Sequence, residues 1–423
     1  MSQSDAENLI LVSDSRSVDN INREFYGRFP YPSPPRTYPK LEDSDFETVM
    51  LNQSLGNFSH PNVPSDAKVW VAGCGTNQAI YTALRFPKAD VVGSDISASS
   101  LAACHKQSRN LGTKNLTLRQ ESLNEVTYRD EFNYILCTGV IHHNADPART
   151  LGNISRALHP DGVLELMVYN RFHRTFTTAF QKAVRTICRY GGATWSWDQE
   201  VRAARVIAAA ESLPFARHAK SLSDMEESEI ADLLIQPVEY SYTVESLNAL
   251  AAQCGLELVL PCYDQFDHNS GHMWTIEFSA DDVRARFEAL PDVVRWQIAN
   301  LLLLENSPML WFYLKRASGS RDERYEARVN QAFLTTRFTR SATQLRNYVR
   351  EAQNLSYRIS PSSVPYPMRS QNNLVREIVQ RVDGKRVMQD ILTELGMNIA
   401  RHKAVTDIRV QTTTPMCPYL RAL

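Results

Sequence analysis

Short apolar runs alternate with helical segments between Asp66 and Asn170, and this alternation constrains the fold more than any other feature of the sequence. Apolar runs of about four to eight residues between helices are typical of parallel strands that are buried on both faces. Such a sheet is covered by helices on both sides. We therefore predict an α/β domain over residues 66–170. Its predicted strands are Val69–Ala72, Val91–Ser94, Leu116–Arg119, Tyr134–Thr138 and Val163–Val168.

The segment before this domain, residues 1–65, is interpreted as an N-terminal extension or lid. A helix is predicted at Val18–Tyr26. The proline-rich stretch FPYPSPP (Phe29–Pro35) follows it, and it must be extended because proline does not continue a helix. The extension therefore predicts one helix and one extended strap ahead of the domain.

The segments after the domain are predicted to be mainly helical. Residues 171–316 are interpreted as a substrate-side region that also ends the sheet, with a strand at Leu256–Pro261 and a helix over Ala280–Lys315. Residues 317–423 are interpreted as a basic C-terminal domain behind a linker at Ala317–Glu323.

Charge is distributed unevenly along the chain. From Ala317 onward there are 17 Lys and Arg against 9 Asp and Glu, a net charge of +8, whereas the preceding residues have a net charge of −9. A basic segment can bind nucleic acid or an acidic partner, or it can pack against the acidic part of its own chain. Because the basic residues are spaced singly, packing is favoured and nucleic acid is disfavoured.

Composition excludes several classes of protein. Hydrophobic residues make up 43% and charged residues 22%, the balance of a soluble globular protein. The polar start, Met1–Ile10, does not have the pattern of a signal peptide. Seven scattered cysteines without CxxC spacing indicate neither a metal site nor a disulfide framework. We expect a cytoplasmic protein with no membrane segment and no metal.

The strongest local motif is VWVAGCGTNQAI (Val69–Ile80), which combines a strand, a Gly-x-Gly turn and a helix. Gly73 and Gly75 allow a tight turn and the close approach of a ligand to the backbone. The helix that follows presents free N–H groups to an anionic group. Alone, such a turn also fits an ordinary strand-to-helix connection.

A carboxylate follows the turn at a diagnostic distance. Asp95 ends the next predicted strand, 20 residues after Gly75. At that place a carboxylate can accept hydrogen bonds from the ribose hydroxyls of a nucleoside ligand. A dinucleotide turn has a third glycine, and the sequence has Gln78 there. The motif therefore disfavours a nicotinamide cofactor.

The segment FNYILCTGVIHHNADPARTLGNISRALHPDGVLELMVYN (Phe132–Asn170) resembles the fourth and fifth strands of class I S-adenosylmethionine-dependent methyltransferases. The glycine turn, Asp95, the His142-His143 pair and His159–Gly162 stand in the order of that family. NREFYGRFPYP (Asn22–Pro32) and Ala231–Leu258 are similar to flanking segments of a bacterial subgroup with a VAGCGT motif. The resemblance implies a Rossmann-like, mostly parallel, seven-stranded sheet with helices on both faces, followed by a mainly helical C-terminal region.

The resemblance also implies roles for individual residues around the cofactor S-adenosylmethionine. In the family's order these are Gly73, Cys74 and Gly75 at the methionine moiety, Asp95 and Ile96 at the ribose, Glu121, Ser122 and Leu123 beside the adenine, and Thr138, Gly139 and His142 below the sulfonium. Two positions depart from the family pattern. Val71 replaces a frequent acidic residue, which suggests a different contact with the methionine amino group, and Asn77 replaces a frequent glycine.

The sequence also offers candidate residues for the methyl acceptor site. His143 is the candidate general base, because an imidazole titrates near neutral pH, although it also fits a packing role. The polar and aromatic rim over the acceptor is predicted to contain Tyr26, Tyr31, Tyr169 and Asn170. In the tail, Asn372–Gly396 reads as helix, turn and helix, which resembles small winged-helix domains that dock peptides and also fits a plain helical hairpin.

The predicted function is the transfer of a methyl group to an N, O or C atom of a small metabolite or peptide. One alternative is a non-catalytic module that binds S-adenosylmethionine or a peptide. A less favoured alternative is a nicotinamide-dependent oxidoreductase. The sequence does not identify the acceptor or the oligomeric state.

Overall fold

The computed structural model describes residues 15–209, 225–319, 322–351 and 356–423. The described chain begins with helix α1 (Ser15–Arg28), strand β1 (Thr37–Leu41) and helix α2 (Phe46–Ser54). Between α1 and β1 the backbone is neither helix nor sheet, as predicted for Phe29–Pro35. Strand β1 and helix α2 were not predicted, because neither has a long apolar run.

A seven-stranded sheet forms the centre of the molecule. Its strands are β2 (Lys68–Ala72), β3 (Asp90–Asp95), β4 (Leu116–Gln120), β5 (Phe132–Thr138), β6 (Leu158–Val168), β7 (Leu256–Pro261) and β8 (Leu310–Arg316). Their spatial order is β4-β3-β2-β5-β6-β8-β7. Strands β4, β3, β2, β5 and β6 are parallel, and β8 pairs antiparallel with both β6 and β7. The predicted Rossmann-like, mostly parallel sheet is confirmed.

Successive residues of the strands point to opposite faces of the sheet, and both faces are apolar. On strand β2, Trp70 belongs to one hydrophobic cluster and Val71 to the other. Strand β5 repeats this division with Ile135 and Leu136. Burial on both faces explains why the strands appear in the sequence as nearly continuous apolar runs.

Helices cover both faces of this sheet. In the part of the chain that the structure describes, the helices between β2 and β8 are α3 (Gln78–Arg85), α4 (Ala98–Leu111), α5 (Pro147–Ala157), α6 (Arg171–Arg189), α7 (Trp197–Ala208), α8 (Glu227–Ile230), α9 (Val244–Gln253), α10 (Gln265–Ser270), α11 (Asp281–Glu288) and α12 (Asp292–Leu303). Of these, α6, α7 and α8 pack with α1 in a hydrophobic cluster of their own. Helix α8 continues into a π-helical turn at Ala231–Ile235. Among the described residues, we find no helix with the length and apolar character that a membrane span needs.

Two expectations about secondary structure are wrong. The predicted helix over Ala280–Lys315 is two helices followed by strand β8, because Pro291 separates the helices and the apolar run after Pro308 enters the sheet. The strand predicted at Val163–Val168 begins earlier, at Leu158, and includes the segment His159–Gly162. This strand is β6, and its pairing with β5 shifts between Phe132 and Tyr134.

The C-terminal segment contains helices and short strands. They are α13 (Tyr325–Thr335), β9 (Phe338–Arg340), β10 (Thr343–Arg350), β11 (Tyr357–Ile359), β12 (Val364–Tyr366), α14 (Asn373–Arg381), α15 (Met388–Glu394), α16 (His402–Thr413), β13 (Cys417–Pro418) and β14 (Leu420–Ala422). Helices α14 and α15 match the predicted helix-turn-helix. Strand β10 pairs with β1, and the amide of Gln53 donates a hydrogen bond to the carbonyl of Leu420 at 2.9 Å. The segment therefore packs directly on the N-terminal extension.

Candidate functional site

A cavity of about 420 Å³ lies at the carboxyl ends of the parallel strands. This is the edge at which open α/β sheets bind ligands, and the volume lies within the range of roughly 300–1,000 Å³ typical of small-molecule pockets. The lining residues are Asp19, Asn22, Tyr26, Tyr31, Pro32, Gly73, Cys74, Gly75, Asn77, Gln78, Tyr81, Asp95, Ile96, Ser100, Glu121, Ser122, Leu123, Thr138, Gly139, Val140, His143, Asn144, Met167, Tyr169 and Asp232.

The turn after β2 forms one wall of the cavity. Gly73 and Gly75 have φ values of +76° and +54°, the left-handed region that glycine adopts without strain. A Cβ atom on Gly73 would lie 2.5 Å from Cγ2 of Val140, and one on Gly75 would lie 2.6 Å from the carbonyl oxygen of Tyr31. Both glycines are therefore required by conformation and by space.

Asp95 holds this turn from the end of the neighbouring strand. Its Oδ2 accepts a hydrogen bond from the backbone N–H of Gly75 at 2.8 Å, and its Oδ1 accepts one from Ser97 at 2.8 Å. Burial raises the pKa of the carboxyl group, and the backbone N–H groups oppose that rise. Each carboxylate oxygen keeps a second lone pair for a hydroxyl group in the cavity.

The loop after β4 forms the adjacent wall, where Glu121, Ser122 and Leu123 line the cavity beside Ile96. Both carboxylate oxygens of Glu121 accept hydrogen bonds from the hydroxyl of Tyr128, at 2.7 and 2.9 Å. This contact fixes the Glu121 side chain at the cavity wall. We refer to the wall formed by Gly73–Gly75, Asp95, Ile96, Glu121–Leu123, Thr138 and Gly139 as the glycine-turn side.

Helix α1 and the proline-rich strap cover the cavity. Asp19 accepts hydrogen bonds from Ser122 and from Asn124, the latter at 2.8 Å. The backbone N–H of Thr76 donates to the carbonyl of Tyr31 at 3.3 Å, and its hydroxyl donates to the carbonyl of Pro32. The N-terminal extension is therefore attached to two walls of the cavity.

His143 lines the opposite part of the cavity, in a 3₁₀ turn at Ile141–His143 after β5. Its Nδ1 lies 2.7 Å from the carbonyl oxygen of Val238. Because a carbonyl only accepts, Nδ1 carries the hydrogen, and Nε2 of the neutral ring keeps a lone pair. No hydrogen bond to Nε2 occurs within the described residues. His143 therefore presents an acceptor nitrogen to a ligand.

Three tyrosines and one carboxylate surround His143. The hydroxyl of Tyr26 donates a hydrogen bond to Oδ1 of Asp232 at 2.9 Å. Tyr31 and Tyr169 line the same part of the cavity, and the charge of Asp232 contributes to a raised pKa for both hydroxyl groups, second to burial. We refer to Tyr26, Tyr31, His143, Tyr169 and Asp232 as the tyrosine side.

Two predicted site residues do not line the cavity. His142 is fully buried, its ring stacks on that of Tyr169 at 3.9 Å, and burial lowers its pKa well below the usual value. Asn170 caps α6 by accepting a hydrogen bond from the N–H of Phe172 at 3.1 Å, and its amide donates to Ser307 at 2.9 Å. Their predicted roles, below the sulfonium and in the acceptor rim, are corrected to packing and helix capping.

Several lining residues were missed in the sequence. Asp19 and Asn22 stand seven and four positions before Tyr26, so they share one face of helix α1 with Tyr26. That polar helical stripe was a usable signal. Asp232 lies in the Ala231–Leu258 segment that carries part of the resemblance, but no spacing placed its side chain in the cavity, because it reaches the cavity from a π-helical turn distant in sequence from the glycine turn.

Residues 65–228 match a protein family described as methyltransferase domain. An uncharacterised protein of Synechococcus sp. is 28% identical over 55% of this chain and 56% of its own length. A ubiquinone biosynthesis O-methyltransferase of Bradyrhizobium sp. is 28% identical over 33% of this chain and 54% of its own length. The chain thus spans about half the length of these curated relatives.

The fold likeness extends beyond the matched domain. PKMT2 from Rickettsia typhi in complex with AdoHcy superposes with a TM-score of 0.57 and 15% identity, over 93% of this chain and 77% of that chain. A second structure of PKMT2 gives a TM-score of 0.53 at 16% identity. Residues 65–228 are thus similar to a methyltransferase domain, and the fold of the chain is similar to that of a protein solved with AdoHcy.

Proposed function

We propose that this protein is an S-adenosylmethionine-dependent methyltransferase that transfers the methyl group to an N, O or C atom of a small metabolite or peptide. The observation that carries the proposal is one cavity with two unlike sides. The glycine-turn side has the backbone turn and the carboxylate that a nucleoside ligand requires. The tyrosine side provides polar side chains for a second molecule.

The residues of the glycine-turn side fit the cofactor. Gly73, Cys74 and Gly75 would hold the methionine moiety against the backbone, and Asp95 would accept the ribose hydroxyls. The adenine would be enclosed by Glu121, Ser122, Leu123 and Ile96. Thr138 and Gly139 line the cavity as well, and they would lie below the sulfonium. The unmet hydrogen-bonding capacity of the Asp95 carboxylate supports this assignment.

Bound S-adenosylmethionine supplies a methyl group activated by a positively charged sulfur. The protein then has to hold the acceptor in line with that methyl group and keep water away, and positioning of this kind contributes roughly 7–11 kcal/mol. Tyr26, Tyr31 and Tyr169 would orient the acceptor. Nε2 of His143 would accept a proton where the acceptor must lose one.

The proposal is tested with cell extract and isotope-labelled S-adenosylmethionine. We expect the full chain to transfer the labelled methyl group to one class of extract component, identified by mass spectrometry. Calorimetric titration should show binding of S-adenosylhomocysteine and no binding of NAD. Binding without any labelled product would favour a non-catalytic module, and tight NAD binding would contradict the proposal.

A further inference from the structure

The tyrosine side contains a buried carboxylate, Asp232, that forms no salt bridge within the described residues. Burial raises the pKa of this carboxyl group, and positive charge at His143 and at Arg174 opposes that rise. Asp232 is 7% exposed and lines the cavity. Within the described residues, the hydroxyl of Tyr26 is its hydrogen-bond partner, and no ion pair to Asp232 occurs. A buried carboxylate is costly unless it is paired or hydrogen-bonded, so one neutral hydroxyl leaves much of that cost uncompensated.

The guanidinium of Arg174, whose charge acts on Asp232, forms its salt bridge with Glu239. Nε of Arg174 donates a hydrogen bond to Oε1 of Glu239 at 2.7 Å, and its Nη2 also donates to the carbonyl of Leu233 at 3.0 Å. The guanidinium lies over the ring of Tyr169, 4.3 Å from its centroid. Arg174 is therefore already neutralised by Glu239, and the second oxygen of Asp232 stays available to a ligand.

The charge of the whole cavity has the same sign. Its described lining includes the carboxylates of Asp19, Asp95, Glu121 and Asp232, and neither lysine nor arginine. An anionic acceptor such as a carboxylate or a phosphate would enter without any cation to receive it. A cationic acceptor would find acidic residues on both sides of the cavity.

The tyrosine side also offers hydrogen-bond acceptors rather than an open aromatic face. The ring of Tyr169 is already covered by His142 at 3.9 Å and by Arg174. Its hydroxyl and that of Tyr31 line the cavity close to Asp232. A group with several N–H donors can bond to the carboxylate and to these oxygens together.

Building on the proposed function, we propose that the methyl acceptor is an amine that enters as an ammonium ion and binds to Asp232, Tyr31 and Tyr169. His143 accepts one proton from the ammonium at Nε2. The freed nitrogen lone pair forms the new N–C bond while the S–CH₃ bond breaks and leaves its electron pair on sulfur. The products are a methylammonium ion and neutral S-adenosylhomocysteine, and His143 releases its proton to water.

The test uses sinefungin, in which an amine-bearing carbon replaces the methylated sulfur, and S-adenosylhomocysteine, which has no such cation. We expect the wild-type protein to bind sinefungin at least about tenfold more tightly by calorimetry. Asp232→Asn should remove that preference and leave the affinity for S-adenosylhomocysteine within about twofold. The matched control is Glu227→Gln on helix α8, an exposed residue outside the cavity lining, and it should keep the preference.

Two failures are distinguishable. A wild-type protein that does not bind S-adenosylhomocysteine would refute the proposed function itself. Binding without a preference for sinefungin, or a preference that Asp232→Asn retains, would refute the amine proposal alone. If Asp232→Asn does not fold, the amine proposal is tested instead by the atom that carries the labelled methyl group in the product of the wild-type protein. An N-methyl product supports the proposal, and an O-methyl or C-methyl product overturns it.

Discussion

The two sides of the cavity are assembled in different ways. On the glycine-turn side, Gly73, Gly75 and Asp95 lie within one strand-helix-strand unit, and their contacts involve mainly backbone atoms. On the tyrosine side, Tyr26, His143 and Asp232 come from separate segments, and their contacts involve side chains. The first arrangement follows from local chain geometry, whereas the second depends on the completed tertiary fold.

This difference predicts that substitutions on the two sides affect different measurements. Changes on the glycine-turn side should alter the affinity for S-adenosylhomocysteine. Changes on the tyrosine side should alter turnover or the Michaelis constant of the acceptor and leave that affinity unchanged. Kinetic measurements on these variants use the acceptor identified by isotope labelling.

The largest effect is expected on the tyrosine side. His143→Asn keeps a side-chain amide that can donate to the carbonyl of Val238, as Nδ1 does now, but it removes the basic Nε2. Because general base catalysis contributes about 10²–10⁴-fold, kcat should fall by that factor. The affinity for S-adenosylhomocysteine should stay within about twofold.

The control for this variant is His105→Asn, which changes an exposed histidine on helix α4. It should leave kcat unchanged. An unchanged kcat in His143→Asn as well would assign His143 a packing role, the alternative that the sequence left open.

The next effect tests the glycine-turn side. Gly75→Ala places a Cβ atom 2.6 Å from the carbonyl oxygen of Tyr31 at a residue with positive φ. Backbone strain of this kind costs about 1–3 kcal/mol, and the strap that covers the cavity must also shift. The strain should lower the melting temperature, and the displaced strap should in addition weaken the binding of S-adenosylhomocysteine, which calorimetry measures.

The control variant Gly112→Ala separates the effect of backbone strain from the effect of displacing the strap. Gly112 also has positive φ, but a Cβ atom there would contact nothing within 4 Å. This control should lower the melting temperature and leave cofactor affinity intact. Equal losses of affinity in both variants would show that the contact between Gly75 and Tyr31 does not shape the cavity.

Asp95→Ala tests the carboxylate of the same side. The loss of hydrogen bonds to a charged group should weaken binding of S-adenosylhomocysteine by about 1.5–3 kcal/mol. Because Asp95 also holds the N–H groups of Gly75 and Ser97, a modest decrease in melting temperature should accompany the lost affinity. A large decrease in melting temperature with intact affinity would mean that Asp95 only stabilises the turn.

The same contrast explains what the sequence predicted about the site. Gly73, Gly75 and Asp95 were found because a strand, a tight turn and a second strand fix their distance along the chain. Asp232 was missed because its position in the cavity depends on the packing of a π-helical turn that is distant in sequence from the glycine turn. His142 was misplaced because two adjacent histidines in a 3₁₀ turn point in different directions, and one of them faces the cavity.

For the fold, burial on both faces gave a clear signal for the central strands and a misleading one for β8. The run around Trp311–Leu314 is as apolar as a buried helix, and the preceding helical segment extended the prediction into it. The antiparallel partners of β8, strands β6 and β7, are distant in sequence. The hydrophobic periodicity of a segment does not show which distant strands it will pair with.

The smallest effect concerns Tyr31, whose backbone and side chain serve the two sides of the cavity separately. Its carbonyl accepts a hydrogen bond from Thr76 and so supports the glycine-turn side, whereas its hydroxyl faces Asp232 on the tyrosine side. Burial raises the pKa of that hydroxyl, so it stays neutral and can form a hydrogen bond with the methyl acceptor.

Tyr31→Phe removes the hydroxyl and keeps the carbonyl. The Michaelis constant of the acceptor should rise by the factor that corresponds to the loss of one hydrogen bond, about 0.5–1.5 kcal/mol of binding free energy. Steady-state kinetics measures this change, and the affinity for S-adenosylhomocysteine should stay the same. Tyr190→Phe, which changes an exposed tyrosine, serves as the control. If Tyr31→Phe weakens the affinity for S-adenosylhomocysteine instead, the hydroxyl belongs to the glycine-turn side, and the division between the two sides must be redrawn at this residue.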